Sequence, residues 1–167
     1  KVLAPGLRLG FVIAPEELHG KLVQAKQAAD LHTPSFSQRI VYEAVQDGFL
    51  DAHIPTIRTL YARQCELMLD ALDRYFPAEA TWNKPEGGMF IWVNLPKGVD
   101  SAKLLAKAIE QNVAFVPGAP FYAVDPVPNT LRLSFVTVPQ DKIEIGMQKL
   151  GALLKAEIAG LSATAAA

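Results

Sequence analysis

Hydrophobic side chains in the first half of the chain change from strand spacing to helical spacing. Apolar residues occupy every second position from Leu7 to Ile13, which predicts a strand. Pro15 and the two glutamates after it then open a helix that runs to about Ala29, because proline suits the first helical turn and acidic side chains suit the positive end of the helix dipole. Apolar stripes predict a helix over 38–46 and a long helix from about 50 or 55 to 75.

The second half of the chain alternates short apolar runs with helical stripes. The predicted elements, in chain order, are a strand over 89–95, a helix over 100–111, a short buried strand over 113–116, a turn cluster over 117–122, a strand over 129–135, a helix over 139–158 and a frayed or disordered tail over 160–167. Asp100 and Ser101 are expected to cap the helix that follows them. Strands alternating with helices predict a small α/β sandwich.

Composition places the chain among ordinary globular proteins and excludes several classes of function. Hydrophobic residues make up 50% and charged residues 20%, and a net charge of −1 gives no basis for contact with nucleic acid or an anionic membrane. No apolar run approaches the length of a spanning helix. The single Cys65 excludes an internal disulfide and indicates a reducing cytoplasm. His19 and His32 have no partners at metal-ligand spacing, so no metal site is predicted.

The first ten residues, Lys1-Val-Leu-Ala-Pro-Gly-Leu-Arg-Leu-Gly10, place one amine and one guanidinium around a turn. Pro5-Gly6 is a strong turn signal, since proline presets φ and glycine tolerates positive φ. An extended chain would hold Lys1 and Arg8 roughly 20 Å apart. A chain folded at Pro5-Gly6 brings both side chains toward one small ligand.

This opening stretch resembles the segment that begins at the cofactor lysine of fold-type I pyridoxal-phosphate (PLP) aminotransferases, in the branch that includes 2-aminoadipate aminotransferases. The resemblance implies that Lys1 is the catalytic Schiff-base lysine and that Arg8 binds the cofactor phosphate. The chemistry suits both residues. A lysine becomes neutral readily when it is desolvated, and a guanidinium offers phosphate a planar set of donors that stays charged.

Two later motifs resemble the same family. Pro-Glu-Gly-Gly-Met-Phe-Ile-Trp-Val-Asn-Leu-Pro, over residues 85–96, resembles a strand of the small domain that flanks the substrate cleft. Within it, we interpret Phe90 and Trp92 as core residues rather than as a ligand wall. Asn129-Thr-Leu-Arg-Leu-Ser-Phe135 resembles the strand whose arginine grips the substrate α-carboxylate, which implies that Arg132 binds substrate. Two parallel N–H donors match a carboxylate and fix its orientation.

The resemblance covers residues 1 to about 158 and implies the α/β fold of a fold-type I aminotransferase. Residues 1–48 would form the end of the large PLP-binding domain, a strand plus helices. Residues 49–75 would form a long interdomain helix, 76–160 the small C-terminal α/β sandwich domain, and 161–167 a disordered tail. Because the family pattern begins upstream of its lysine, we expect the chain to be a C-terminal piece of the enzyme that is inactive by itself.

The implied function is transfer of an amino group from an amino acid to a 2-oxo acid, with PLP as cofactor, in a cytoplasmic homodimer whose active site lies at the subunit interface. Thr33, Ser35 and Gln38 are then candidate cross-subunit contacts, although a helix cap is the favoured interpretation of this segment. The alternative function is that of an aminotransferase-like effector-sensing module in a PLP-binding winged-helix transcription regulator. The identity of the amino acid stays open.

Overall fold

In the computed structural model, which describes residues 2–165, helices fill most of the first half of the chain, and short strands alternate with helices in the second half. The elements are α1 (Glu16–Asp30), α2 (Ser35–Ala44), α3 (Phe49–Tyr75), β1 (Thr81–Trp82), β2 (Phe90–Asn94), α4 (Ser101–Glu110), β3 (Val116–Pro117), β4 (Thr130–Ser134) and α5 (Gln140–Ala165). Short 3-10 helices occupy Pro5–Leu7 and Ala119–Phe121. The predicted long helices are therefore confirmed, with ends shifted by a few residues.

The chain divides into two compact units, residues 1–57 (unit 1) and 58–167 (unit 2). The division falls within α3. Assignment of chain segments to the domains of an enzyme stays a prediction. No helix of the described residues is both long and apolar enough to cross a membrane.

The strand predicted over residues 7–13 is wrong, whereas the turn before it is confirmed. The amides of Leu7 and Arg8 donate to the carbonyls of Ala4 and Pro5 at 3.2 and 3.1 Å, which closes the 3-10 turn. Residues 9–15 form no regular element. A strand exists only when a neighbouring strand pairs with its backbone, and no described residue does so here. The side chain of Ile13 is accordingly 90% exposed.

Helix α2 begins three residues earlier than predicted and lacks the predicted side-chain cap. Pro34 holds its N-cap position and offers no hydrogen-bonding side chain. The favoured interpretation of Thr33 and Ser35 as caps is therefore wrong. The cap on α4 is confirmed for Asp100, because its carboxylate accepts hydrogen bonds from the amides of Ala102 and Lys103 at 2.9 and 3.3 Å. Ser101 is instead the first residue of the helix, and its Oγ has no hydrogen-bond partner among the described residues.

The four strands of unit 2 form one antiparallel sheet in the order β1-β2-β4-β3. In the register of the central pair, Ile91 lies opposite Leu133 and Trp92 lies opposite Arg132. Strand β3 pairs with the other edge of β4 and places Val116 opposite Arg132. The alternation predicted for β4 is confirmed, since Leu131, Leu133 and Phe135 are buried while Arg132 and Ser134 are only half-buried.

One hydrophobic core occupies unit 2, built from the inward face of the sheet and the apolar stripes of three helices. Its members include Leu72 of α3, Ile91 and Val93 of β2, Leu104 of α4, Leu131 and Leu133 of β4, and Leu150 and Leu154 of α5. The side chains of Ile91, Val93 and Leu150 are fully buried. A sheet covered by helices on its apolar face confirms the predicted small α/β sandwich.

In unit 2, further elements differ from the sequence predictions. The buried strand expected over 113–116 is shorter and later, at Val116–Pro117, and the short strand β1 was not predicted. Helix α5 continues to Ala165, so the tail predicted from residue 160 is helical up to that point. Alanine has the best helix propensity of the common residues, which explains why the helix continues through this alanine-rich end. Residues 166 and 167 lie outside the described part.

Candidate functional site

Arg132 occupies the middle of the sheet in unit 2, on the face opposite the hydrophobic core. It belongs to β4, which has β2 on one side and β3 on the other. Side chains alternate between the two faces along a strand. Because Leu131 and Leu133 point into the core, Arg132 between them lies on the other face. Pairing on both sides fixes the backbone beneath this guanidinium.

Two aromatic rings lie against the Arg132 guanidinium. Its Cζ atom lies over the ring of Phe90, 4.0 Å from the ring centroid, and over the ring of Phe121, 4.8 Å from that centroid. Phe90 belongs to β2, and Phe121 belongs to the 3-10 turn that follows β3. One ring therefore comes from the neighbouring strand β2 and the other from the turn after β3, both at distances typical of cation–π contacts.

Phe121 is itself supported by Trp92. Their ring centroids are 5.6 Å apart and the ring planes are inclined at 81°, an edge-to-face arrangement. The ring of Tyr122 lies 6.3 Å from that of Trp92. Aromatic side chains from a strand and from the turn thus form a connected group around Arg132.

The turn that carries Phe121 depends on Gly118. The Gly118 amide donates to the Thr130 carbonyl at 2.7 Å, and the Phe121 amide donates to the Gly118 carbonyl at 2.9 Å. A Cβ atom on residue 118 would lie 2.0 Å from Thr130 Oγ1 and 2.9 Å from the Thr130 carbonyl carbon. Only glycine permits this approach of the turn to β4, so any other residue would displace the turn.

The Arg132 side chain has a hydrogen-bond donor without a partner among the described residues. Its Nε atom is buried and has no hydrogen-bond partner among the described residues, and no ion pair in that part of the chain includes Arg132. The buried Oγ of Ser134, two residues along the same face, also lacks a partner there. Unsatisfied buried polar groups are costly, so their presence points to a ligand that completes them.

The interpretation of Phe90 and Trp92 as core residues is wrong. Both are half-buried, and neither belongs to the hydrophobic core, whose members from β2 are Ile91 and Val93. Strand alternation explains the result, because Trp92 lies opposite Arg132 and shares its face. The two aromatic residues therefore form walls of the candidate site.

Arg8 lies in unit 1, directly after the Pro5–Leu7 turn. Its backbone adopts the left-handed conformation, with φ 56° and ψ 33°, and its side chain is exposed. None of the ion pairs among the described residues includes Arg8. Lys1 lies outside the described residues, so the expected convergence of these two side chains stays a prediction.

Unit 1 also contains a largely apolar cavity of about 570 Å³. Thr33 and Gln38 line it, together with Leu7, Val41 and Tyr42. The Gln38 side-chain amide donates to the Thr33 carbonyl at 2.8 Å, so these two residues are held together within the chain. Ser35 is exposed at the start of α2 and does not line the cavity.

The sequence predicts a substrate-binding role for Arg132, which stays a prediction, and assigns no role to Phe121 or Gly118. The only signal was the apolar and aromatic composition of the turn cluster over 117–122, which resembles that of the family. The contact between Phe121 and Arg132 depends on the pairing of β3 with β4. That pairing joins segments separated along the chain, and periodicity within one segment carries no information about it.

Comparison with known proteins places most of the chain in one sequence family. The pattern that defines aminotransferases of class I and II matches residues 2–150. A 2-aminoadipate transaminase of Thermus thermophilus is 47% identical over 159 residues, which cover 95% of this chain and 40% of that protein. The chain thus spans about two fifths of the length of this relative.

A solved structure and a regulator extend the comparison. The crystal structure of LysN, an alpha-aminoadipate aminotransferase from Thermus thermophilus complexed with N-(5'-phosphopyridoxyl)-L-leucine, matches with a TM-score of 0.80 and 47% identity. The match covers 95% of this chain and 41% of that one. An HTH-type transcriptional regulator of Bacillus subtilis, named YdfD, is 31% identical over 93% of this chain and 32% of its own length.

Proposed function

Because the chain belongs to the aminotransferase class I and II family, we propose that it forms part of a PLP-dependent enzyme that moves an amino group from an amino acid to a 2-oxo acid. The activity belongs to the whole protein, of which this chain corresponds to about two fifths of a relative's length. The observation that carries the proposal is the Arg132 guanidinium, which lies over two aromatic rings while its buried Nε has no partner among the described residues.

Arg132 binds the α-carboxylate of the amino acid. A guanidinium presents parallel N–H donors that match the two oxygens of a carboxylate, and this pairing fixes orientation as well as position. No acidic side chain among the described residues competes for the cation. Holding the carboxylate in one geometry presents the Cα–H bond to the reacting groups in one orientation, which lowers the entropic part of the barrier.

The residues of unit 1 suit PLP. Arg8 follows a tight turn, is exposed and has no ion-pair partner among the described residues, as a phosphate-binding guanidinium requires. PLP, when bound, withdraws electrons from the substrate Cα and so makes its proton acidic. Lys1 is the residue we assign to covalent attachment of the cofactor and to moving that proton from the substrate Cα.

A cytoplasmic homodimer completes the proposal. The single Cys65 agrees with a reducing compartment. Thr33, Ser35 and Gln38 are assigned as cross-subunit contacts around the active site. The exposed position of Ser35, and the lining of an apolar cavity by Thr33 and Gln38, support this assignment because both leave surface for another chain.

Replacing Lys1 tests the cofactor assignment. In the full-length protein, Lys1→Ala should abolish both the visible absorbance of the bound cofactor and transamination, because no other residue would take the place of the attached amine. Lys21→Ala, at an exposed position on α1, is the matched control and should change neither property. Retention of both properties by Lys1→Ala would contradict the role of Lys1.

Replacing Arg132 tests the substrate assignment. Arg132→Lys should weaken amino-acid binding more than PLP binding, since the positive charge remains while the paired donors are lost. Titration of the cofactor absorbance with amino acid gives the first affinity, and retention of PLP on dialysis gives the second. Unchanged amino-acid affinity would place the carboxylate elsewhere.

The match to YdfD favours a second candidate function. In that case the chain belongs to a module that binds PLP or an amino acid and controls a DNA-binding domain elsewhere in the protein. The two functions differ in turnover. Stoichiometric spectral change without continuous release of 2-oxo acid would favour the sensor, whereas many turnovers per protein molecule would favour the enzyme.

A further inference from the structure

Among the described residues, two aromatic rings lie against the guanidinium of Arg132. Phe90 and Phe121 lie 4.0 and 4.8 Å from its Cζ atom, and its Nε has no partner among the described residues. We propose that Phe121 and Trp92 are positioning residues for the carboxylate-binding arginine, Phe121 by fixing the guanidinium and Trp92 by fixing Phe121. This inference rests on the proposed function.

The physical basis is a separation between the faces and the edges of the guanidinium. Its five N–H donors lie in one plane. A ring that attracts the cation through its π-face uses none of those donors. The rings can therefore restrict the orientation of Arg132 and leave its edge available for a carboxylate, which an acidic partner could not do because it would occupy the same donors.

Restriction matters because arginine is long and flexible. Fixing its side chain costs conformational entropy, and in a binding site that cost is subtracted from the affinity unless it has been met before the ligand arrives. No ion pair with a described residue fixes Arg132. The ring contacts thus supply the preorganisation that the affinity requires.

Phe121 is placed for this role and not for core packing. It is 51% exposed and lies outside the hydrophobic core of unit 2. Two features hold it in place, the close approach of Gly118 to Thr130 and the edge-to-face contact with Trp92. Trp92 also lies directly opposite Arg132 in the β2–β4 register, so one strand pair positions both the cation and the support of its ring.

The test is a steady-state comparison of variants of the full-length protein loaded with PLP. Phe121→Leu removes the aromatic face and keeps an apolar side chain, so it should raise the KM for the amino acid by about threefold to thirtyfold with little change in kcat or PLP retention. Phe121→Tyr keeps the ring and should restore KM. Trp92→Leu should raise KM by less than Phe121→Leu, because its effect passes through Phe121.

Trp82→Leu is the matched control. Trp82 makes a comparable edge-to-face contact, with the core residue Phe76 at 6.0 Å, and it belongs to β1 rather than to the group around Arg132. Its replacement should lower the melting temperature without raising KM. A rise in KM equal to that of Phe121→Leu would show that loss of stability alone explains the effect, and would overturn the inference.

Arg132→Lys in the same series separates this inference from the proposed function. If Arg132→Lys raises KM while Phe121→Leu does not, the rings have no positioning role and Arg132 keeps its own. If Arg132→Lys leaves KM unchanged, the carboxylate does not bind Arg132, and the inference falls with that assignment. Failure of Phe121→Tyr to restore KM would also overturn it, since the aromatic face would then not be the property that matters.

Discussion

Unit 1 and unit 2 differ in how far their hydrophobic side chains are buried. Every fully or nearly fully buried apolar residue of the described chain lies in unit 2, between Met68 and Leu154. None of the described residues of unit 1 is buried, and Phe11 and Phe36 are 88% and 78% exposed. Helices of similar amphipathic character are present in both units, but only those of unit 2 have their apolar faces covered.

The difference shows that an amphipathic sequence pattern does not by itself stabilise a helix. A stripe of leucines specifies which face a helix will bury, but the free energy comes from removing that face from water. In α1, Leu18 and Leu22 stay exposed, whereas Leu150 and Leu154 of α5 are fully buried. The free energy of unfolding of the chain should therefore come mainly from unit 2.

Leucine-to-alanine substitutions provide the largest test of this comparison. Leu150→Ala should lower the free energy of unfolding by about 2–5 kcal/mol, because it removes buried methylene and methyl groups and leaves a cavity. Leu22→Ala, the same substitution on an exposed stripe of unit 1, should change it by about 0.5 kcal/mol or less. Urea denaturation of the chain followed by circular dichroism measures both.

Equal losses in the two variants would contradict the comparison. They would mean that Leu22 is covered in solution, by another molecule or by a rearrangement of unit 1. Repeating the measurement over a tenfold range of protein concentration distinguishes these two explanations, since only association makes the stability depend on concentration.

The same contrast explains how much of the fold could be read from the sequence. The helices were predicted because a helix forms its hydrogen bonds within one segment and its spacing identifies its face. The strands predicted over 89–95 and 129–135, from an apolar β-rich run and from regular alternation, are confirmed as β2 and β4 because the two segments pair with each other. The strand predicted over 7–13 has the same alternation but no partner among the described residues, so its pattern alone did not make it a strand.

The candidate site divides in the same way. The position of Arg132 on the face away from the core could be predicted, because within one local motif it alternates with leucines that point inward. The positions of Phe121 and Trp92 could not be predicted, because they depend on the register between β2 and β4 and on the approach of Gly118 to Thr130. Contacts between distant segments follow from the packing of the whole unit.

Two glycines of α5 test how tightly unit 2 is packed. A Cβ atom at residue 151 would lie 2.5 Å from the Tyr75 carbonyl oxygen, at the end of α3, while one at residue 146 meets nothing within 4 Å. Gly151→Ala should therefore destabilise the chain by about 1–3 kcal/mol, because backbone must move. Gly146→Ala should stabilise it by roughly 0.5–1 kcal/mol, since alanine is the better helix former.

Thermal unfolding of the two variants under identical conditions measures effects of opposite sign. If Gly151→Ala were stabilising, the space between residue 151 and the Tyr75 carbonyl oxygen would be larger than the 2.5 Å that separates this oxygen from an added Cβ atom. Because both substitutions replace glycine by alanine in the same helix, the gain in helix propensity is similar and cancels when the two variants are compared. The measurement therefore isolates the crossing of α3 and α5.

The smallest effect concerns the helix caps, which also differ between the units. The Asp100 carboxylate caps α4 in unit 2, whereas proline holds the N-cap position of α1 and α2 in unit 1 and contributes no side-chain hydrogen bond. Asp100→Ala should lower the free energy of unfolding by about 1 kcal/mol, because the amides of Ala102 and Lys103 lose their acceptor. Asp100→Asn keeps a capping oxygen and should remain close to the unsubstituted protein in urea denaturation.

The asparagine variant separates the hydrogen bond from the charge. If it lost as much stability as the alanine variant, the negative charge near the positive end of the helix dipole, rather than the hydrogen bond, would be the source of the effect. Raising the salt concentration should then reduce the difference in stability from the unsubstituted protein.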